Sequence, residues 1–473
     1  MRRVLLTVHK FFPDHRAGTE VLTLKVAQEL KRRGYEVRVL TADPPDRDAK
    51  HAVGPEIYEH EYEGVPVHVV GESLRLKGYT FRHEYLHREI GAYSARLIAD
   101  FAPDLVHGFH LQNLSASVLE AAFAAGVPAV LSTTDFWFVC PVVQLKRPNG
   151  QVCRGPAPLA ANCLTCFTPR LFAPLAEFKE AVAAKRAGIS DAVEALPAAL
   201  AEPAWKALYG VYAAGKLPEA IAATVARPAT LRDLANKVSA IMVPTRLMRD
   251  IFVANGIRAE LIHHVPFGLD TGPLLPYRDK TPTDVLRIGF IGTLFEHKGV
   301  DLLIKAFQRL PRDCKAVLKI YGDVKQFPDY SQMLLALSAA PSPRCTDIEF
   351  AGTFPNAKLG EVLSSLDVLV VPSRWYENTP LVIQSALATR TPVIATDLGG
   401  MSELVKHEVN GLLFALNDVE GLGRQLIRVC RDRALLERLR GNIGPERTIA
   451  EMVDDVERVY DRTMSRPRPA CLV

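Results

Sequence analysis

No uninterrupted apolar run in the 473 residues approaches the roughly 18 that a membrane-spanning helix needs, although 48% of the chain is hydrophobic. The N-terminal MRRVLLTVH has basic residues and a short apolar run, but His9, Lys10 and Asp14 end it too early for a secretory signal. Eight cysteines are too few in so long a chain for a disulfide scaffold. A strong charge of one sign is also missing. The net charge of +4 permits phosphate ligands or loose contact with an anionic membrane and does not argue for nucleic acid. The dinucleotide fingerprint G-x-G-x-x-G is absent, and no well-placed carboxylate pair points to a hydrolase with a covalent intermediate. These absences leave a cytoplasmic protein of ordinary globular composition, with peripheral contact at the inner face of the membrane still open.

What is present is organised around residues 366–400, LDVLVVPSRWYENTPLVIQSALATRTPVIATDLGG. Leu366 to Val371 reads as a strand buried on both faces of a parallel sheet. Thr379 is placed to cap a helix with Pro380 in its first turn. A second strand, Pro392 to Thr396, runs into Gly399 and Gly400. Helix N-termini with little side-chain bulk between them form an anion site, and a diphosphate is the natural guest. One acid in the same loop, Glu377, suits sugar hydroxyls better than phosphate. The competing reading is an ordinary charged surface loop.

Strand, loop, helix and strand also open the chain: RVLLTV at 3–8, an amphipathic helix from about Glu20 to Arg33, and a strand from Tyr35 to Thr41, with Gly18 at the turn. Residues 79–100 read as one helix whose aromatic stripe is packed, or lies on a membrane surface. PDLVHGFHLQNLS is a strand ending in a loop, so His107 and His110 either face a cleft or serve as packed imidazoles. Further strands fall at Ala129 to Thr133 and Ala240 to Pro244. Between them, Cys140, Cys153, Cys163 and Cys166 lie within 27 positions. A tetrahedral thiolate set for a structural zinc, an iron–sulfur cluster, or four reduced thiols all fit that spacing. Cys314, Cys345, Cys430 and Cys471 are scattered and read as inert. Residues 167–236 are alanine-rich with breaks expected at Pro197, Pro203, Pro218 and Pro228, which suggests a helical insertion.

The domain reading is therefore a Rossmann-like N-terminal unit over 1–266, containing the cysteine loop 140–166 and the insertion 167–236. A linker at 267–284 leads to a second Rossmann-like unit over 285–445 and a C-terminal segment 446–473 that folds back on the first. The second unit repeats the first in outline: strand Leu286 to Ile291, loop GTLFEHKG, helix Val300 to Leu310, then strands Ala316 to Tyr321 and Ile348 to Ala351. Lys298 at the helix start would bind phosphate rather than complement the dipole.

GTLFEHKG, PSRWYENTPLVIQSALA and TDLGGMSELVKHEVNGLLF closely resemble the retaining glycosyltransferases of the GT-B fold, family four, the glycosyl transferases of group 1. FFPDHRAGTE, DLVHGFHLQNLS and DFWFVCP resemble the acceptor half of that family, and the cysteine loop marks a subgroup. The resemblance implies a nucleotide-sugar donor held by the second domain and a saccharide or lipid-linked acceptor held by the first. It also implies that catalysis needs no cofactor. Glu377 matches the first acid of a paired-glutamate motif and would grip donor sugar hydroxyls, with His107 or His110 beside the transferred sugar. The implied donor-binding set is Gly18, Thr293, Lys298, Arg374, Asn378, Thr379, Leu381, Ser385, Gly399 and Gly400.

Three positions depart from the family pattern. Ser385 stands where a second glutamate usually binds the ribose, so a charge-assisted hydrogen bond of roughly 1.5–3 kcal/mol becomes a neutral one unless Gln384 compensates. Thr293 stands in place of a frequent arginine, and Thr134 in place of a histidine. They keep a rival alive, a degenerate nucleotide-sugar binder whose insertion serves a partner. A phosphorylase or epimerase on the same architecture is a third reading.

Overall fold

The computed structural model describes residues 1–43, 55–76, 79–172, 175–340 and 347–465; Cys345 and Cys471 lie outside the described residues. The first sheet is built from β1 (Arg3–Thr7), β2 (Glu36–Ala42), β3 (Ile57–Tyr62), β4 (Val65–Val70), β5 (Leu105–Gly108), β6 (Ala129–Ser132), β7 (Ala240–Val243) and β8 (Ile262–His264). Its order is β3-β4-β2-β1-β5-β6-β7-β8. Every pairing is parallel except the edge hairpin β3–β4. That hairpin was not anticipated. IYEHEY is charged and only half-buried, and its turn places Glu63 and Gly64 at positive φ without the usual Asn-Gly or Asp-Gly signal.

The second sheet is wholly parallel. It comprises β9 (Leu286–Ile291), β10 (Ala316–Tyr321), β11 (Ile348–Gly352), β12 (Val368–Val371), β13 (Val393–Thr396) and β14 (Gly411–Phe414), in the order β11-β10-β9-β12-β13-β14. In both sheets the chain starts in the middle and reverses direction of travel across the sheet, once between β1 and β5 and once between β9 and β12. Loops part at such a switch point, and a crevice opens at the carboxyl ends of the two strands.

The alanine-rich insertion departs from expectation. A 38-residue helix, Ala198–Ala235, runs through Pro203, Pro218 and Pro228, and only Pro197 marks an end. An internal proline costs about 3 kcal/mol. Ala220, Thr224, Arg227, Leu231 and Leu234, spaced by fours and threes, are all buried on one face and outweigh that local preference. The expected helix over 79–100 is split instead. A short 3-10 turn, Phe81–Glu84, precedes a helix at Arg88–Phe101, because the His87 side chain caps the second and starts it afresh.

The chain crosses between domains twice, and the crossings touch: Leu269 bridges to Thr448, and a Cβ on Gly268 would stand 2.3 Å from the Thr448 carbonyl oxygen. After the second crossing the helix Ile449–Met464 packs on the first domain through Met452, Val453, Val456, Val459 and Tyr460. No helix of the described residues is long and apolar enough to cross a membrane.

Candidate active site

Lys298 and Glu377 come from the loops that follow β9 and β12, the two strands at the second switch point. Lys298 Nζ donates to Glu377 Oε1 at 2.5 Å, and the Ser373 hydroxyl and Trp375 indole N–H each donate to the same oxygen at 2.9 Å. The ammonium also lies 5.4 Å from the centre of the Trp375 ring. No hydrogen bond reaches Oε2 from any described residue. Burial by itself would raise the Glu377 carboxyl, but Lys298, with Ser373 and Trp375, holds it below the usual carboxylate range. The carboxylate is therefore ionised, fixed through one oxygen and free to accept through the other.

Gly299 makes this approach feasible. It sits at φ 70° between Lys298 and the helix Val300–Gln308, and a Cβ there would lie 2.1 Å from the Pro372 carbonyl oxygen. Only glycine lets the β9 loop come this close to the end of β12. Beside it His297 packs edge-on to Trp375 and is pushed down to about 4, first by burial and then by Lys298, so it is neutral.

A cleft of about 660 Å³ is lined from both domains; it reaches the β9 loop at Gly292 and Thr293 and the helix after β12 at Leu381, while Lys298 and Glu377 are not among its lining residues. Gly18, Thr293, Leu381 and Ser385 line it, together with Arg16, Lys25, Asp270, Asp323 and Phe354. The helix Leu381–Ala388 begins at its wall with Pro380 as the N-cap and no side-chain cap, so Thr379 does not cap it. The Ile383 amide already donates to the Pro380 carbonyl at 2.9 Å, which leaves the Leu381 and Val382 amides available to an anion.

Other expected donor contacts are already used. The Arg374 guanidinium is held by Asp301 at 2.8 Å and its amide by the His297 carbonyl at 2.7 Å, so it braces the β9 loop rather than offering a free cation to phosphate. The Gly400 amide donates to the Glu377 carbonyl at 2.8 Å, and a Cβ there would fall 1.4 Å from the Asn378 carbonyl oxygen. Gly399 packs under Leu247 and Tyr376. These two glycines admit the protein's own backbone and side chains. Asn378 Nδ2 donates across the domains to the Thr134 carbonyl at 2.9 Å. Gln384 donates to the Phe267 carbonyl at 3.0 Å and does not line the cleft, so it cannot replace the missing acid at Ser385.

His107 does not face the cleft, contrary to the expectation from its place at a strand end. It is 0% exposed, with Nδ1 2.6 Å from the Tyr460 hydroxyl and Nε2 2.8 Å from the Ser132 hydroxyl. Burial pushes it down to about 3. It is a core residue that joins β5 to the C-terminal helix. Tyr460→Phe should then cost about 1–3 kcal/mol by stranding a buried ring nitrogen, with kcat unchanged; chemical denaturation alongside a transfer assay checks this.

His110 stands at the first switch point. Its Nδ1 accepts from the Gln112 amide at 3.0 Å, which puts the proton on Nε2, the atom paired with Asp135 Oδ2. The His110 side chain is 2% exposed and that of Asp135 21%, so the carboxylate, not the imidazole, is what this pair presents. The Trp137 amide holds the other Asp135 oxygen at 2.8 Å. His9, at the end of β1, stacks on His110 with centroids 4.1 Å apart and lies 3.5 Å from buried Glu20. Burial lowers His9 and raises Glu20. His9, Glu20 and Asp135 were missed in the sequence. Their signal was position alone: His9 and Asp135 lie just beyond β1 and β6, and Glu20 is in the first turn of the helix Gly18–Arg32.

The four clustered cysteines line one small cavity of about 20 Å³. As they stand, no three His, Cys, Asp or Glu groups among the described residues form a ready ion-binding set.

The family described as Glycosyl transferases group 1 matches residues 278–444, and the Glycosyl transferase 4-like domain matches residues 17–187. The putative glycosyltransferase YtcC of Bacillus subtilis is 34% identical over 157 residues, 32% of this chain and 38% of that protein. The UDP-Gal:alpha-D-GlcNAc-diphosphoundecaprenol alpha-1,3-galactosyltransferase of Escherichia coli is 35% identical over 102 residues, 21% of this chain and 26% of that protein. The matched region thus spans well under half the length of these curated relatives. The crystal structure of Anabaena HepE in complex with UDP and glucose aligns with a TM-score of 0.61 at 16% identity, over 98% of this chain and 100% of that one. At that identity the likeness speaks for the fold, two Rossmann-like domains in the GT-B arrangement. Each domain matches its own half of one enzyme class, and the chain belongs to glycosyltransferase family four, the glycosyl transferases of group 1.

Proposed function

We propose that this chain is a retaining glycosyltransferase that moves a sugar from a nucleotide-sugar donor to an acceptor hydroxyl in polysaccharide or glycolipid assembly. The observation that carries the reading is the Lys298–Glu377 pair, 2.5 Å apart at the second switch point. A diphosphate beside Lys298 and the bare amides of the helix at Leu381 leaves Glu377 Oε2 to accept from hydroxyls of the attached sugar. The bond from the anomeric carbon to the diphosphate oxygen breaks with its electron pair going to the diphosphate, whose charge Lys298 and the amides stabilise. The acceptor oxygen bonds that carbon from the face the diphosphate leaves, and a phosphate oxygen takes the acceptor proton. Asp135, oriented by His110 on the first domain, presents a hydrogen-bond acceptor. The structural relative crystallised with UDP and glucose, and the galactosyltransferase named for a UDP-sugar and a lipid diphosphate, support a nucleotide-sugar donor and a saccharide or lipid-linked acceptor.

The test is a thermal-shift screen of sugar nucleotides followed by turnover on acceptor panels. A donor at a hundred times its Kd stabilises the native state by about 2.7 kcal/mol. Retention is read from the anomeric configuration of the product by NMR. An inverted product would discard the mechanism, and a panel with neither a shift nor transfer would discard the reading. Ser385, a neutral group on the cleft wall, favours one rival, a degenerate binder; a donor that raises melting without turnover on any acceptor would select it.

A further inference from the structure

We propose that Cys140, Cys153, Cys163 and Cys166 hold one divalent metal ion, zinc by the chemistry of four thiolates, in a structural knot at the acceptor side of the cleft. This does not depend on the transfer reading. All four side chains line a single cavity of about 20 Å³, room for one ion.

A second observation points to a missing negative charge there. Arg227, on the helix Ala198–Ala235, is 1% exposed, and no carboxylate among the described residues pairs with it. Its Nη2 donates to the Trp137 carbonyl at 2.6 Å while its Nη1 has no partner. Cys140 and Cys163, and more weakly the Glu84 carboxylate, are within electrostatic reach of this guanidinium. A buried cation is costly without an anion, and four thiolates around a divalent ion carry net negative charge. The surroundings of the sulfurs fit as well: the Gly155 amide and the Asn162 side-chain amide each donate to Cys153 Sγ at 3.4 Å, as outer contacts to a metal thiolate do. Val143, Leu145, Leu159 and Ala160 in the same loop hold positive φ, a conformation that non-glycine residues keep only when something over-determines it.

As they stand, three of the thiols are placed as hydrogen-bond donors to neighbouring oxygens. Cys153 points at the Gly155 carbonyl at 3.2 Å, Cys163 at Asn162 Oδ1 at 3.7 Å, and Cys166 at the Lys146 carbonyl at 3.8 Å. Metal binding releases those protons and turns the sulfurs inward. The knot would then pin two contacts of the cleft. Trp137, whose carbonyl is held by Arg227, fixes Asp135 through its own amide, and Lys146 reaches Glu296 of the β9 loop at 3.8 Å.

The full-length chain, purified without chelator from zinc-supplemented cells, should carry about one zinc per chain by elemental analysis, and a chelator should lower its melting temperature. Cobalt(II) exchanged into the wild type should give the visible d–d and sulfur-to-cobalt bands of a tetrahedral thiolate site, a readout that needs no variant. The double variant Cys163→Ser/Cys166→Ser should lose the metal yet keep the far-UV circular dichroism of the folded chain. Less than about a tenth of an equivalent of metal with no cobalt–thiolate bands would overturn the proposal. Iron with acid-labile sulfide would also overturn it.

Discussion

Glu377→Gln is expected to lower kcat by about a hundredfold or more, the scale of a preorganised contact that strengthens as charge develops, with nucleotide-sugar affinity reduced less. Glutamine matches the shape of glutamate, so the loop that Ser373 and Trp375 hold through Oε1 keeps its geometry, while the free oxygen Oε2 loses its charge or becomes an amide donor. Steady-state kinetics with the donor found in the thermal-shift screen, together with circular dichroism, measure both halves. Unchanged turnover would remove Glu377 from the chemistry. The depressed carboxyl also gives a sign for stability. Because its folded value lies below the ordinary carboxylate value of about 4.3, its contribution is fully present above that pH and is lost as the pH falls through the lowered value.

Lys298→Ala should have two separable effects. Removing the ammonium leaves Glu377 buried and charged beside a hydroxyl and an indole, and breaking such a pair costs about 3–5 kcal/mol. It also removes the cation facing the leaving diphosphate, so turnover should fall at least as far as in Glu377→Gln. The double variant Lys298→Ala/Glu377→Gln no longer buries an unpaired charge and should recover most of the lost melting temperature without recovering turnover. If melting stays low in the double variant, the pair is not what stabilises this loop. If turnover returns, Lys298 is not needed at the leaving group.

The two residues that matter most to these predictions were legible because their loops follow apolar parallel strands and because both sit beside glycine, proline or an aromatic that only a constrained loop would carry. Arg374 was misjudged for the opposite reason. Its charge is plain in the sequence, but its partner Asp301 lies 73 positions away, at the start of another helix. The insertion shows the limit of local signals, since three internal prolines predict breaks and one buried face prevents them.

By itself, the sequence determined the alternation of strands and helices, the repeat of two Rossmann-like units, and the presence of a cation and an acid on neighbouring phosphate-type loops. Local propensity and hydrophobic period are enough for that. Only the tertiary structure decided which residues face the cleft. His107 and His110 are three positions apart, yet one is sealed by Tyr460, 353 residues away in sequence, and the other orients Asp135 beside the interdomain contact. Strand order and the return of the C-terminal helix set that difference, because a side chain's role depends on what packs over it, and no local pattern encodes a partner so far along the chain.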